Sequence, residues 1–224
     1  MTDADFLGPT REFYDTVAED YAEHFRDVLA ARPLERALLA SFAEQVGAGA
    51  VADLGCGPGE VTGYLARLGV DVFGVDLSAR MVALARRTQP GVRFEQGTLT
   101  EVGRPDGSLA GVLAWYSLIH LPDEQLPFAL AEFHRLLAPG GWLLIGFQTG
   151  DRPLRVAEPF GHPVALDFRR RTPERVAEAV TAAGLTVRAT VRRARDETLG
   201  ETAPQAFLLA RRPGPGGPEN PSPA

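Results

Sequence analysis

The residues whose types and spacing carry the most chemistry are Asp53, Gly55, Gly57, Gly59 and Asp76. In Val51-Ala52-Asp53-Leu54-Gly55-Cys56-Gly57-Pro58-Gly59-Glu60 an apolar strand runs into three alternating glycines, and residues 61–68 then read as a helix. Glycine is required where backbone turns with positive φ or approaches a ligand with no Cβ in the way. A strand, a glycine-rich turn and a helix also aim free N–H groups and the positive end of the helix dipole into the crevice between them. Downstream, Val72-Phe73-Gly74-Val75-Asp76-Leu77-Ser78 is a second apolar strand ending in a carboxylate. In a nucleotide-binding βαβ unit an acid at that place accepts hydrogen bonds from both ribose hydroxyls.

The spacing Asp-x-Gly-x-Gly-x-Gly differs from the G-x-G-x-x-G of dinucleotide-binding loops. An acid ahead of the first glycine is poorly suited to face a pyrophosphate and well suited to a ligand carrying a cationic amine. The plain alternative is a tight β–α turn with a solvated aspartate at the strand end. The two stretches together resemble the class I S-adenosylmethionine (SAM)-dependent methyltransferase family, and the resemblance runs from about Tyr14 to Arg211. It implies a Rossmann-like, seven-stranded mixed α/β sheet, with an N-terminal helical cap (about residues 10–46) and a lid after the fifth strand (about 148–171). It further implies SAM as cofactor and S-adenosylhomocysteine as product. Asp53, Gly55, Gly57 and Gly59 then face the methionine part, and Asp76 holds the ribose.

The elements around this pair supply the other candidates. From Thr10 to Arg26, Phe13, Tyr14, Val17, Tyr21 and Phe25 form an aromatic stripe on an amphipathic helix, which is core unless it covers a ligand. The Tyr14-x-x-x-Ala18-x-x-Tyr21 pattern resembles the family's helix over SAM, which makes Tyr14 and Tyr21 cofactor candidates and Tyr14 an acceptor candidate. Pro33–Val46 reads as a second helix with proline in its first turn. Ser78 is placed to cap the helix Ala79–Arg87; the resemblance sets Leu77 and Met81 near the adenine face, although both suit a core. After the third strand, Val92–Glu95, many family members carry an aspartate that bonds the adenine amine. This chain has Gly97-Thr98-Leu99 there, so Thr98 or the Leu99 N–H takes that place.

Ligands in open α/β sheets lie beyond the carboxyl ends of the central strands. The run Trp115-Tyr116-Ser117-Leu118-Ile119-His120 follows the fourth strand, Leu109–Ala114. Trp115 is a wall for the methionine part, and Tyr116 and His120 are candidates for the acceptor. The pKa of histidine suits a general base, while His120 between Ile119 and Leu121 equally suits packing. Asp123 reads as the cap of a helix over 124–137, and Leu-Leu-Ala-Pro-Gly-Gly closes it before a fifth strand, Trp142–Phe147. The stretch 148–171 has prolines at 153, 159 and 163 and no regular pattern. Loops of that length in compact domains are functional or disordered. Arg152, Arg155, His162 and Arg169 there are candidates for an anionic acceptor; as a charge run, Arg169–Arg171 reads as a solvated face. Thr172 caps a helix over 173–183, and Leu185–Arg193 with Gln205–Arg211 reads as an antiparallel pair.

Composition bounds the partners. The 224 residues suit one domain, about 1–211, followed by a Pro/Gly-rich tail, 212–224, that cannot bury apolar surface. Net charge is −6, without the basic footprint of nucleic-acid binding. One cysteine allows no disulfide framework, and the four histidines at 24, 120, 134 and 162 stand apart, so no metal is expected. The N-terminus has no secretory h-region and no apolar run reaches bilayer length, so a cytoplasmic monomer or homodimer without membrane contact is expected. The function expected is in-line methyl transfer from SAM to an oxygen or nitrogen of a small metabolite, secondary metabolism included. The alternatives are a SAM-binding protein that moves no methyl and, against the glycine spacing, an NAD-type oxidoreductase.

Overall fold

The computed structural model describes residues 6–214; the ends of the chain, including the expected tail from 215 on, lie outside the described residues. Six helices and nine strands follow in order: α1 (Leu7–Phe25), α2 (Pro33–Val46), β1 (Ala50–Leu54), α3 (Glu60–Arg67), β2 (Asp71–Asp76), α4 (Ala79–Thr88), β3 (Arg93–Gln96) and β4 (Leu109–Trp115). Then come α5 (Leu126–Leu136), β5 (Leu137–Gln148), β6 (Leu154–Ala157), β7 (Ala165–Phe168), α6 (Pro173–Ala182), β8 (Thr186–Arg193) and β9 (Gln205–Arg211). Seven strands form one sheet in the order β3-β2-β1-β4-β5-β9-β8. β1 to β5 pair in parallel, while β9 runs antiparallel between β5 and β8.

Both faces of the sheet are covered, so its inner strands read as continuous apolar runs whose successive side chains enter opposite layers. Val51, Val72, Leu113 and Leu144 face Leu39, Phe42 and Val46 of α2 and Leu65 of α3. Their neighbours Ala52, Phe73, Val112, Ala114 and Ile145 face Leu130 and Phe133 of α5 and Val176 and Val180 of α6. Burying a side chain of this size contributes about 1.5–3 kcal/mol. The order of strands reverses between β1 and β4, and the crevice at their carboxyl ends is where such a sheet takes a ligand.

The structure departs from the sequence reading at four places. Residues 148–171 are not irregular: β6 and β7 form an antiparallel hairpin whose Val156, Val164, Leu166 and Phe168 pack on Phe13 and Val17 of α1. Asp123 does not cap α5; it accepts hydrogen bonds from Arg171 and Arg175. The basic run is not a solvated face, because Arg171 is only 4% exposed and donates to the carbonyls of Leu118 and Leu121. Arg212, expected in the tail, is instead held by the fold: its backbone pairs with Gly140 and Gly141 and its guanidinium reaches the His134 and Leu137 carbonyls. By contrast Ser78 and Thr172 do cap α4 and α6, accepting from the backbone N–H of Met81 and Arg175.

Candidate functional site

The glycine loop is docked on β2 before it does anything else. The N–H groups of Gly55 and Cys56 donate to the Val75 carbonyl at 2.7 and 3.1 Å. The three glycines then differ in what they permit. A Cβ on Gly55 would stand 2.3 Å from Cβ of Ser117, and one on Gly59 would stand 2.9 Å from the Phe94 ring. Gly57, with φ 53°, has nothing within 4 Å of the missing Cβ and opens into the crevice. So Gly55 lets the loop approach the turn after β4, Gly59 lets α3 settle on β3, and Gly57 is bare toward a ligand. Gly59 and Met81, both expected at the cofactor, are not among the residues lining the two clefts described below; Met81 is fully buried with Ala18 and Leu84.

Two carboxylates flank the loop. Asp53, 1% exposed, accepts from the Thr62 hydroxyl of α3 at 2.6 Å through Oδ2, and its Oδ1 is buried with no partner. Burial raises its pKa to about 7; the Thr62 bond pulls it down and the charge of Asp76 pushes it up. Asp76 accepts from the Gly57 N–H through Oδ2 and from the Ser78 N–H through Oδ1, each at 2.8 Å. Burial raises it to about 6, against the lowering effect of those backbone bonds. Each bonded oxygen of Asp76 keeps a further acceptor position.

Two adjoining clefts share Tyr14, Tyr21, Gly55, Gly57, Trp115 and Tyr116. One contains about 770 Å³ of space, open solvent included, and continues along Asp76, Leu77, Gly97, Thr98 and Leu99. The other, about 1400 Å³ on the same measure, runs from Asp53 to Arg32, Glu35, Glu201 and Gln205. α1 closes the first from above, held by the Asp15 carboxylate, which accepts from the Ser78 hydroxyl at 2.6 Å. His120 lines the same cleft and meets the Tyr14 hydroxyl at 2.7 Å through Nε2, while its Nδ1 is buried without a partner. Burial lowers the His120 pKa to about 3 and raises that of Tyr14, so the pair is neutral.

Four expected acceptor residues stand elsewhere: Arg155 is exposed and pairs with Asp167 at 3.1 Å. Arg152 is 89% exposed beside Asp151, His162 pairs with Asp20 of α1 at 2.7 Å, and Arg169 lines a small separate cavity with Ile119 and Phe147. Among the described residues no group of three or more His, Cys, Asp or Glu is arranged to hold a metal ion. Cys56 is buried against Phe94 and Val82, and burial, then Asp76 and Asp53, push its thiol pKa up.

Sequence reasoning missed Thr62, Ser117, Arg32, Glu35, Glu201 and Gln205. Only Thr62 left a local trace, lying one turn into α3 on the side facing Asp53. The others come together through the fold.

Residues 51–141 match a methyltransferase domain family model. A malonyl-[acyl-carrier protein] O-methyltransferase of Enterobacter lignolyticus is 38% identical over 99 residues, which is 44% of this chain and 38% of that protein. The chain spans between 36% and 59% of the length of the first curated relatives it matches. Among solved structures, a DhpI–SAH complex superposes with TM-score 0.72 at 26% identity, covering 96% of this chain and all of that one. The 1,6-didemethyltoxoflavin-N1-methyltransferase of Burkholderia thailandensis superposes with TM-score 0.74 at 24% identity, covering 95% and 91%. The fold and the crevice therefore define a methyltransferase domain of the Rossmann-like type. Residues 51–141 thus carry a methyltransferase domain, and the chain shares the fold of class I SAM-dependent methyltransferases.

Proposed function

We propose that this chain transfers the SAM methyl group to an oxygen or nitrogen of a small metabolite, secondary metabolites included. The observation that carries the reading is Asp53: a buried carboxylate oxygen without a partner, beside the bare Gly57, at the head of the wider cleft. An α-ammonium is the group that such an oxygen lacks. Asp76 with its spare acceptor positions suits ribose hydroxyls, and Leu77, Gly97, Thr98 and Leu99 wall the narrower cleft for the adenine.

The cofactor, when bound, supplies a methyl group already activated by its sulfonium. The protein's part is alignment and exclusion of water. Holding two reactants in line is worth about 7–11 kcal/mol relative to a bimolecular reaction. Tyr14, Tyr21, Trp115 and Tyr116 stand where the clefts join and enclose that place. An anionic acceptor oxygen needs no base, whereas a hydroxyl or amine is oriented by the neutral Tyr14–His120 pair and gives its proton to solvent. The neighbour from Burkholderia thailandensis, by its name an N1-methyltransferase of 1,6-didemethyltoxoflavin, supports the small-molecule reading.

We further place the protein in the cytoplasm as a monomer or homodimer of a single domain, residues 1–211, acting on free metabolites and not on nucleic acid. Its net charge of −6 supports this. No helix among the described residues is long and apolar enough to cross a membrane. Calorimetric titration with S-adenosylhomocysteine and with NADH, followed by label transfer from [methyl-³H]SAM into metabolite fractions, tests the function. Binding of NADH in place of S-adenosylhomocysteine, or binding with no label transferred, would overturn it.

A further inference from the structure

The wider cleft ends on four paired charges. Arg193 of β8 donates from Nε to Glu35 of α2 at 3.0 Å, and from Nη1 and Nη2 to both carboxylate oxygens of Glu201 at 2.8 and 2.6 Å. Nη2 of Arg32 lies 2.9 Å from Glu201. The Glu35 and Glu201 side chains are almost wholly buried. Two guanidiniums and two carboxylates thus neutralise one another, and Arg32, Glu35 and Glu201 face the cleft.

Three buried hydrogen-bonding atoms of this same wall have no partner: Nε of Arg32, the hydroxyl of Tyr116 and Oε1 of Gln205. Tyr116 is held there at φ 57°, in the left-handed region that non-glycine residues seldom adopt. Beside it Trp115 stacks on Phe207 with ring centroids 5.1 Å apart and 24° between planes, giving the cleft a flat apolar side.

This wall discriminates by charge. A carboxylate or phosphate entering it would lose hydration and find each cation already committed to a glutamate; an ammonium would find each carboxylate committed to an arginine. An uncharged group bearing a donor and a carbonyl side by side meets what is unsatisfied: the Arg32 N–H donates, Gln205 Oε1 accepts, and the Tyr116 hydroxyl does either. We propose that the methyl acceptor is an uncharged, flat heterocycle of lactam or amide type, read by Arg32, Tyr116 and Gln205. This rests on the methyltransferase reading above and names its substrate class.

The test uses the full chain saturated with S-adenosylhomocysteine and ligand-observed NMR titrations of six probes. Nicotinamide, 2-pyridone and uracil are neutral; nicotinate and orotate are anionic, and benzylamine is cationic. The neutral set is expected to bind about tenfold tighter, and Tyr116→Phe, again saturated with S-adenosylhomocysteine, to lose about that factor, since removing one partner strands a buried polar group. Gln205→Leu is expected to act in the same direction. Charged probes binding as tightly as neutral ones, or no neutral probe binding, would overturn the proposal while leaving the methyltransferase reading intact. Failure of wild-type protein to bind S-adenosylhomocysteine would instead remove that reading and this one with it.

Discussion

The Tyr14 hydroxyl and Nε2 of His120 meet at 2.7 Å, joining α1 to the turn after β4. The imidazole lies edge-on to the Tyr14 and Phe168 rings, with centroids 5.1 and 4.9 Å away. A histidine in such a place refuses a proton, and burial lowers its pKa to about 3. The His120 Cε1–H resonance is therefore expected to stay still between pH 5 and 8, where an unperturbed histidine titrates near pH 6.5. The sign for stability follows. The unfolded chain takes up a proton below about pH 6.5 that the folded chain declines, so this contribution is full above that pH and falls as pH drops toward 3. A midpoint near 6.5 for His120 would refute the assignment.

Asp76 is a structural acceptor as well as a ligand candidate. Its two oxygens hold the Gly57 and Ser78 N–H groups, so replacing it strands both donors. Asp76→Ala is expected to lower stability by about 1–3 kcal/mol and to weaken S-adenosylhomocysteine binding by tenfold or more, measured by urea unfolding and by titration calorimetry. Asp76→Asn keeps an acceptor oxygen and should recover part of the stability. Unchanged affinity in both variants would show that the ribose lies elsewhere.

What could be read from the sequence was local. Asp53, the three glycines and Asp76 stand within one strand–turn–helix–strand run, where backbone geometry alone dictates residue type. The caps at Ser78 and Thr172 and the closing pair of strands are legible for the same reason. The hairpin after β5 was hidden because the prolines and Phe160 at its tip masked the alternation of Leu154 and Val156 with Arg155. The ionic end of the wider cleft draws Arg32, Glu35, Arg193 and Glu201 from elements far apart in the chain, and no spacing rule joins them. Arg171 read as a surface charge because nothing in Arg-Arg-Arg tells which member meets the carbonyls of Leu118 and Leu121.

Asp53 gives ligand binding a pH dependence. With its pKa raised to about 7 by burial, the free protein carries a proton there in a large fraction of molecules at neutral pH. An ammonium beside Oδ1 favours the charged form and expels that proton. S-adenosylhomocysteine binding is expected to release part of a proton near pH 6.5 and to tighten as pH rises toward 7, with the release absent in Asp53→Asn. In the free protein the raised pKa has the opposite sense: its stabilising contribution is present at low pH and is lost as pH rises through about 7. Calorimetry in two buffers of different ionisation enthalpy reads the proton count, and a value of zero at pH 6.5 would count against Asp53 as the ammonium partner.

Arg171 fixes the turn that carries His120. Its Nε donates to Asp123 at 3.0 Å, and Nη1 and Nη2 reach the carbonyls of Leu118 and Leu121 at 2.9 and 2.5 Å. The backbone N–H of Arg169 adds a bond to the Ile119 carbonyl at 2.7 Å. Arg171→Met removes the cation and strands two buried carbonyls, a change of the kind that costs about 3–5 kcal/mol. Asp123 keeps Arg175, which places the loss toward the lower figure. Arg171→Lys preserves the charge but not the planar fork, and should restore only a fraction. Because the turn also presents His120 to Tyr14, amide exchange across 118–121 should quicken in both variants, and the His120 resonance should begin to titrate in the methionine variant. A methionine variant with wild-type stability and wild-type exchange at those amides would mean that the turn is held by its own packing and that the guanidinium is incidental.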